Sequence, residues 1–391
     1  MERKVKMGVI GIGNMGSAHA QHIAGGEIPE MELTAVADRS AARRQWAREN
    51  LPGTVRIFEE GSELIESGVC EAVEIATPHY QHPELSILAM DKGLHVMCEK
   101  PAGVYTKQVR RMNEKAAASS VVFGMMFNQR TNCVYRKMHE LVQGGTLGAI
   151  KRVNWIITDW YRTQAYYDSG SWRATWAGEG GGVLLNQCPH NLDLLQWICG
   201  MPDKVRAFCH IGKWHDIEVE DDVTAYLEFP NGATGVFVTT TGDAPGTNRF
   251  EVTLEKGKLV CENDVLTLTE LAVNEREFCR ACPQGFEKPE SRTYVVETDG
   301  KNPQHNGVLE AFAGKILHGT PLVAEGVEGI RGLSLSNAMH LSSWLGKTVT
   351  MPVDEDLFLR ELDRRRVTSR VKTGEDKVFD LSGTYGSEKK E

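Results

Sequence analysis

The stretch that decides the fold is VKMGVIGIGNMG, residues 5–16. A short apolar run is followed by glycines at G-x-G-x-x-G spacing, and SAHAQHIA then continues as a helix. Only glycine permits the tight turn, the close approach of a pyrophosphate and the close helix packing that these positions require. The pattern predicts a strand–turn–helix unit that binds a dinucleotide through Gly11, Ile12, Gly13, Asn14, Met15 and Gly16.

An acidic residue at the end of the second predicted strand supports this interpretation. Asp38 lies about 20 residues beyond Gly16, where a carboxylate accepts hydrogen bonds from ribose hydroxyls and repels a 2′-phosphate. This favours NAD over NADP. The adjacent Arg39 leaves NADP open, because a guanidinium can pair with that phosphate or stack on adenine.

The first third of the chain alternates short apolar runs with helical segments. The runs VKMGVI, MELTAVA, TVRIF, EAVEIAT, LHVMCE and VVFGMMF predict βαβ units and a parallel sheet buried by helices. We therefore expect a doubly wound Rossmann domain over residues 1–125.

The pattern changes after a predicted helix at about 132–142. Longer half-polar runs such as IKRVNWIIT, DVTAYLEF and ATGVFVTTT predict an α+β domain over 126–355 with a large, mostly antiparallel sheet. One open face of that sheet predicts a homo-oligomer, a dimer or tetramer joined sheet to sheet. Residues 356–391 are highly charged and predict a short helix and a loose tail.

Composition restricts the class of protein. The chain has 391 residues, 41% of them hydrophobic, and a net charge of -9 without a basic cluster, which argues against nucleic-acid binding. It contains no apolar run of about 18 residues and no secretory signal, so we expect no membrane partner. Nine irregularly spaced cysteines indicate reduced thiols and a cytoplasmic location.

The fourth and fifth strand regions read EAVEIATPHYQHPELSILAMDKGLHVMCEKP, residues 71–101. Together with GIGNMG and a later N-x-x-x-H-x-x-D, this segment resembles the glucose-fructose oxidoreductase / inositol dehydrogenase (Gfo/Idh/MocA) family, over a similarity reaching about residue 350. The resemblance implies NAD(P)-dependent oxidation of a sugar, cyclitol or glycoside. It also implies cofactor contacts from Thr77, Pro78, His82, Glu99 and Lys100.

Lys100 precedes Pro101 at the carboxyl end of a strand, where ligands bind in doubly wound sheets. Taken alone, such a lysine is more often a solvent-facing loop residue. The resemblance makes it catalytic: an ammonium beside the substrate hydroxyl stabilises the developing alkoxide and takes part in proton transfer.

A second constellation lies in NQCPHNLD, where a helix is predicted from Pro189. On a helix, Asn186, His190 and Asp193 would share one face. The family pattern has Asp where this chain has Asn186, so we expect His190 as the main acid/base and Asn186 as an orienting residue. Asp193 is a catalytic candidate that could instead anchor an arginine, and a capping Asn beside a buried His is the alternative.

Between these two motifs the chain is rich in aromatic residues and arginine, in DWYRTQAYYDSGSWRATWAGEGGG. Aromatic faces stack on sugar rings, and arginine binds hydroxyls or a carboxylate. An aromatic core or a subunit contact is an equally open interpretation for any one of them. The predicted substrate residues are Tyr161, Arg162, Tyr166, Trp172 and Arg173, with Lys100, Asn186 and His190.

No metal site is expected. Cys279 and Cys282 form C-x-x-C without a partner pair, and we interpret them as ordinary thiols in a loop. Cys188 lies near His190 in sequence, but the chemistry implied by the resemblance needs no metal. The acidic run 218–222 is interpreted as a solvated loop.

Three functions remain possible from the sequence. The first is reversible hydride transfer between the nicotinamide and a sugar-like secondary alcohol. The second keeps NAD bound and uses transient oxidation to cleave a glycoside by elimination. The third, which Asn186 favours, is a non-catalytic dinucleotide-sensing protein.

Overall fold

Six parallel strands form the first sheet of the computed structural model, which describes residues 3–372. Most residues of these strands are apolar, because each face of the sheet is covered by its own hydrophobic cluster. This arrangement confirms the predicted Rossmann-type sheet. Its strands are β1 Val5–Ile10, β2 Met31–Ala37, β3 Arg56–Phe58, β4 Ala72–Ile75, β5 His95–Cys98 and β6 Phe123–Met125, in the order β3-β2-β1-β4-β5-β6.

Helices alternate with these strands and begin at identifiable caps. The hydroxyl of Ser40 accepts a hydrogen bond from the backbone N–H of Arg43 and thereby caps the N-terminus of α2. Pro83 occupies the first turn of α4. The helices are α1 Asn14–Ala24, α2 Ala41–Asn50, α3 Gly61–Glu66, α4 His82–Asp91 and α5 Thr106–Ala117.

Nine strands form the second sheet, and all neighbouring strands except β7 and β10 are antiparallel. This confirms the expected large, mostly antiparallel sheet. The strands are β7 Ile150–Ile157, β8 Lys204–Ile211, β9 Glu220–Glu228, β10 Thr234–Thr240, β11 Asn248–Leu254, β12 Gly257–Glu262, β13 Val265–Leu271, β14 Ser291–Val295 and β15 Val349–Thr350, in the order β14-β13-β12-β11-β7-β10-β9-β8-β15.

One face of the second sheet is covered and the other is open. On the covered face Trp155 stacks on Phe250 with ring centroids 4.1 Å apart, and both rings are buried. On the open face Tyr226 and Phe208 remain 42% and 53% exposed. Because side chains alternate across a strand, this register leaves a row of apolar residues facing outward.

The remaining helices support the second sheet and connect it to the first. The helix Gln304–His318 lies in the range predicted for the second domain but packs its Val308, Leu309 and Phe312 into a core cluster of the first sheet. These helices are α6 Cys133–Gln143, α7 Gln164–Asp168, α8 Pro189–Cys199, α9 Glu275–Ala281, α10 Gln304–His318, α11 Gly329–Leu345 and α12 Glu355–Val367. Within residues 3–372, none of the helices combines the length and the apolar character that crossing a bilayer requires.

The acidic run 218–222 is not a solvated loop, and that prediction was wrong. Glu220 is fully buried and accepts hydrogen bonds from the backbone N–H groups of Gly182 and Leu184. Asp221 is also fully buried and accepts from three consecutive backbone N–H groups beginning at Lys213. Buried carboxylates are tolerated where several donors satisfy them. The sequence-predicted charged tail continues beyond α12 into residues 373–391, which lie outside the described residues.

Candidate functional site

The candidate site is a cleft of about 1500 Å³ between the two sheets. It opens at the carboxyl ends of β1, β2, β4 and β5, where the chain crosses over and ligands bind in doubly wound folds. Its opposite wall comes from the segment 160–173, the turn 186–187 and the first turn of α8. The site has a nucleotide end at the glycine loop and a substrate end at this wall.

Glycines shape the nucleotide end in three different ways. Gly11 has φ +88°, and a Cβ there would lie 2.7 Å from the carbonyl oxygen of Ala76. A Cβ on Gly16 would lie 1.9 Å from the carbonyl oxygen of Gly11, so this glycine allows α1 to pack on β1. Gly13 faces open space at the start of α1. That space, beside the free N–H groups of a helix N-terminus, fits a pyrophosphate.

The remaining loop residues divide between the cleft and the core. Asn14 and Met15 line the cleft, whereas the side chain of Ile12 is fully buried. The backbone N–H of Ile12 donates to Oδ2 of Asp38 over 2.9 Å, and Oδ1 of Asp38 accepts from Ser40 N–H. Arg39 lies on the rim of the cleft and pairs with Glu60 over 2.8 Å. The carboxylate of Asp38 therefore lines the cleft beside the glycine loop, while the guanidinium of Arg39 already has an anionic partner.

The turn after β4 and the turn after β5 are tied together by one histidine. His82 is buried, with Nδ1 2.7 Å from the carbonyl oxygen of Pro101 and Nε2 2.6 Å from that of Thr77. Pro78 and Thr77 line the cleft beside Lys100. His82 thus acts on the site through the backbone that carries Thr77 and Lys100.

A buried charged cluster lies under this part of the cleft, and the sequence analysis missed two of its members. His19 on α1 hydrogen-bonds through Nδ1 to Glu74 of β4, and Glu99 lies 3.9 Å from the same nitrogen. Burial alone lowers the pKa of His19, but the two carboxylates outweigh it and raise the pKa to about 9. Glu99 also accepts the backbone N–H of Lys100, so the cluster positions the catalytic candidate. The signal was present as an acidic residue inside an otherwise apolar strand.

Lys100 lies at the centre of the cleft, between its two ends. Its Nζ donates to the backbone carbonyl of Asn186 over 3.3 Å, which links the first sheet to the opposite wall. Burial lowers the pKa of Lys100, and the charges of Arg162 and Arg173 lower it further, against the opposing effect of Glu99. An ammonium in this environment can release and regain a proton more readily than one in water.

His190 faces the same cleft from the first turn of α8. It is 7% exposed, and its ring meets that of Phe127 edge-on. Burial lowers the pKa of His190 well below its usual value, and the neighbouring charges of Lys100 and His305 act in the same direction. The lowered pKa favours the neutral form of the imidazole.

Asn186 does not share a helix face with His190, because α8 begins only at Pro189. It lies in the preceding turn, where its side-chain NH₂ donates to buried Glu179 and its Oδ1 accepts from the hydroxyl of Tyr166. The sequence analysis missed Glu179. Position 186 has no carboxylate, but the carboxylate of Glu179, seven residues earlier, contacts Asn186 behind the wall of the cleft.

Asp193 does not line the cleft. Both of its oxygens accept hydrogen bonds from Arg130, at 2.8 and 2.7 Å, and both side chains are buried. The bidentate pair fixes α8 against the turn after β6. The alternative use of Asp193, anchoring an arginine, is the one this geometry supports.

The aromatic segment turns only some of its side chains toward the cleft. Four of the five predicted substrate residues line it, but Tyr161 is 50% exposed and points elsewhere. The sequence analysis did not single out several residues that also line the cleft, because their chemistry carries no spacing signal. They are His79, Trp160, Gln187 and the segment 302–306 that leads into α10.

Among the described residues, no cysteine belongs to a group of side chains that could bind a metal ion. Cys279 lies on α9 rather than in the predicted loop, and the Sγ of Cys188 lies 3.0 Å from the hydroxyl of Thr239. One group of possible ligand atoms does occur in that part of the chain, where His19, Glu99 and His305 approach within 4.8 Å of one another. Because the pKa of His19 is raised to about 9, its protonated imidazole gives that cluster a positive charge.

Comparison with known families assigns two successive parts of the chain to one group. Residues 5–127 match a model described as an oxidoreductase family with an NAD-binding Rossmann fold, GFO/IDH/MocA. Residues 135–260 match the model of the GFO/IDH/MocA C-terminal domain.

Individual relatives agree with these matches. The chain is 28% identical over 267 residues to myo-inositol 2-dehydrogenase of Thermotoga maritima, covering 66% of this chain and 75% of the relative. It is 25% identical over 296 residues to levoglucosan dehydrogenase of Pseudarthrobacter phenanthrenivorans, covering 66% and 73%. The solved WlbA dehydrogenase of Bordetella pertussis, in complex with NADH and UDP-GlcNAcA, superimposes with TM-score 0.75 at 25% identity, covering 90% of this chain and all of that one.

Proposed function

Because the chain belongs to the GFO/IDH/MocA family of NAD-binding oxidoreductases, we propose that it oxidises a secondary hydroxyl of a sugar, cyclitol or glycoside, or reduces the corresponding ketone. One observation carries the proposal: Lys100 from the first sheet and His190 from α8 line the same cleft into which the glycine loop opens. Relatives named as inositol and levoglucosan dehydrogenases support this substrate class.

The nucleotide end would hold NAD, with the open space at Gly13 available for the pyrophosphate and Asp38 available for the ribose. NAD supplies the hydride acceptor when it is bound. The chain keeps that acceptor near the substrate hydroxyl by means of the turns at Thr77 and Lys100, which His82 ties together. We propose that Asp38 makes NAD the preferred form, because a 2′-phosphate would meet its charge.

At the substrate end, we propose that neutral His190 accepts the hydroxyl proton and that the ammonium of Lys100 stabilises the alkoxide. In the reverse direction the same groups return the proton to the ketone oxygen. Asn186 orients the substrate, or the groups around it, through an amide fixed by Glu179 and Tyr166. Asp193 acts as a positioning residue through Arg130.

We propose that Arg162, Tyr166, Trp172 and Arg173 bind the substrate. The rings of Tyr166 and Trp172 lie beside the guanidinium of Arg173, with ring centroids 4.3 and 4.7 Å from its Cζ. Such a wall offers both stacking surfaces for C–H faces and donors for hydroxyl oxygens. We leave Tyr161 out of the proposed set because it is 50% exposed and does not line the cleft.

The test is NADH formation, followed at 340 nm, across a panel of cyclitols, aldoses, anhydrosugars and glycosides. Product analysis runs in parallel. Oxidised sugar in equal amount to NADH is the expected result. A cleaved glycoside with no net change in NADH would replace dehydrogenation by the elimination reaction, and a protein that binds NAD but changes no compound would favour the sensing role.

We also propose a homo-oligomer formed through the open face of the second sheet. Phe208, Tyr226 and Ile156 are 53%, 42% and 41% exposed there, and a contiguous apolar face of this kind favours association. Light scattering measures the mass in solution. A dimer or tetramer that dissociates in Tyr226→Asp is expected, whereas a monomeric wild-type protein would contradict the assignment.

The location and the domain limits follow as further proposals. All nine cysteines are free, which suits the reducing cytoplasm. We place the domain limits near residues 125 and 355, with α10 returning from the second domain to cover the first.

A further inference from the structure

Charge is distributed unevenly along the cleft. The lining near the glycine loop is mixed, with the acidic residues Glu27, Asp38, Glu59 and Glu60 beside Arg39 and Arg43. Between residues 160 and 190 the lining includes two arginines and, among the described residues, no aspartate or glutamate. Lys100 adds a third cationic side chain from the opposite wall, next to the carboxylate of Glu99.

Arg173 has unused binding capacity. Its side chain is only 12% exposed, and its Nη1 donates to the hydroxyl of Tyr166 over 2.6 Å. Its Nε is buried and has no hydrogen-bond partner within residues 3–372. A buried guanidinium N–H without an acceptor is costly, so an acceptor supplied by a ligand would be favoured.

Arg162, unlike Arg173, makes no ion pair within residues 3–372. Its Nη1 donates to the backbone carbonyl of Tyr161 over 2.8 Å, but no carboxylate of the described chain lies within 4.0 Å of its guanidinium. Both arginines lie beside the ring of Tyr166, with Cζ atoms 5.2 Å (Arg162) and 4.3 Å (Arg173) from its centroid. The two guanidinium groups therefore flank one aromatic surface of the cleft.

The carboxylate nearest to Arg173, that of Glu179, is buried behind the wall of the cleft. Glu179 is 1% exposed and does not line the cleft. Its oxygens accept from the backbone N–H of Ala174 and from the side chain of Asn186, and its distance to Nη1 of Arg173 is 3.9 Å. Other donors of the wall thus engage Glu179, and the Nε of Arg173 keeps no acceptor within the described residues.

We infer that the substrate of the proposed dehydrogenase carries a carboxylate, as in a uronic acid or its glycoside, bound by Arg162 and Arg173. The inference rests on the proposed function and specifies its substrate class. A guanidinium fork matches the planar carboxylate, and charge-assisted hydrogen bonds of this kind are stronger than those made to a neutral hydroxyl.

Matched substrate pairs test the inference. Methyl β-D-glucopyranoside and methyl β-D-glucopyranosiduronate differ only at C6, which is a hydroxymethyl group in the first and a carboxylate in the second. The corresponding galactose compounds form a second pair of this kind, and free glucose and glucuronate form a third. With NAD, we expect kcat/KM to be at least about tenfold higher for the acidic member of a pair that is oxidised. Oxidation of neutral members alone would overturn the carboxylate assignment and leave the dehydrogenase intact, and so would a preference for glucose 6-phosphate over glucuronate.

Variants assign the effect to the arginines. Arg162→Gln and Arg173→Gln should each reduce the acidic-to-neutral ratio of kcat/KM by about tenfold, and Arg173→Lys should recover only part of it. Arg111→Gln removes the same charge at an exposed position outside the cleft and should leave the ratio unchanged. A ratio that falls equally in Arg111→Gln would overturn the assignment.

Binding separates the two proposals if no compound in the panel is oxidised. In that case glucuronate is titrated into the NADH-loaded protein while tryptophan fluorescence is followed. Binding that is lost in Arg173→Gln would support the carboxylate subsite while the dehydrogenase fails, and absence of binding would overturn both.

Discussion

The two ends of the cleft are built by different means. The nucleotide end is organised around the backbone of one continuous segment, in which Gly11 and Gly16 avoid side chains that would clash with the turn and Gly13 leaves open space. The substrate end consists of side chains from segments that meet only in the folded protein, such as Lys100, Arg173 and His190. A motif can therefore describe the first end, whereas the second depends on how two sheets face each other.

The sharpest test of this difference is Lys100→Ala. The substrate end depends on single side chains, so we expect kcat to fall by about 10³-fold, the usual scale for losing an acid/base or an alkoxide-stabilising group. NAD affinity, measured by fluorescence titration, should stay close to the wild-type value because the glycine loop is untouched. Lys92→Ala, on the surface, is the control. Retained turnover in Lys100→Ala would remove the lysine from the mechanism.

The buried cluster beneath the cleft predicts a pH effect on stability. The pKa of His19 is about 9 in the folded protein, against 6.5 for an ordinary histidine. Protonated His19 therefore stabilises the fold fully below pH 6.5, and this effect is lost as the pH rises through 9. Wild-type protein should lose about 2–3 kcal/mol of unfolding free energy across that range relative to His19→Gln. Urea unfolding at several pH values measures this. The exposed variant His318→Gln should follow the wild type.

Gly13→Ala tests the backbone nature of the nucleotide end. A Cβ at this position meets no protein atom within 4 Å, so the melting temperature should change little. The methyl group would occupy space needed by the pyrophosphate, so NAD affinity should fall by about tenfold or more. Gly53→Ala, also without close neighbours, should bind NAD normally. Equal affinities in the two variants would place the pyrophosphate elsewhere.

The polar pair at the substrate end predicts coupling between two substitutions. Asn186→Asp places a second carboxylate against Glu179, and two carboxylates in contact resist being ionised together. We expect kcat/KM to fall by about tenfold although the change restores the residue type usual in the family. Adding Glu179→Gln should recover most of the loss. Additive losses in the double variant would show that the two residues act independently.

The smallest expected effect is that of Tyr161→Ala. This ring is exposed and outside the cleft, so KM and kcat should change by less than about twofold. Trp172→Ala, which removes a cleft-lining ring of the same segment, should raise KM clearly. Similar effects for both would return Tyr161 to the substrate site.

Local sequence patterns predicted most of the fold because their physical causes are local. Apolar runs alternating with helical segments indicated the parallel sheet, and half-polar strands indicated the second sheet with its open face. Two errors came from charge. Glu220 and Asp221 were assigned to solvent because their hydrogen-bond donors, such as Gly182 and Lys213, cannot be identified from the acidic run itself.

The sequence by itself determined the dinucleotide loop, the positions of Lys100 and His190 at the ends of their elements, and the family. These features follow from backbone requirements of neighbouring residues. Only the tertiary structure decided that Glu179 supports Asn186, that Asp193 is held by Arg130, and which residues of the aromatic segment face the cleft. Those relations join residues distant in the chain or set apart by an irregular turn, so no periodicity or spacing encodes them.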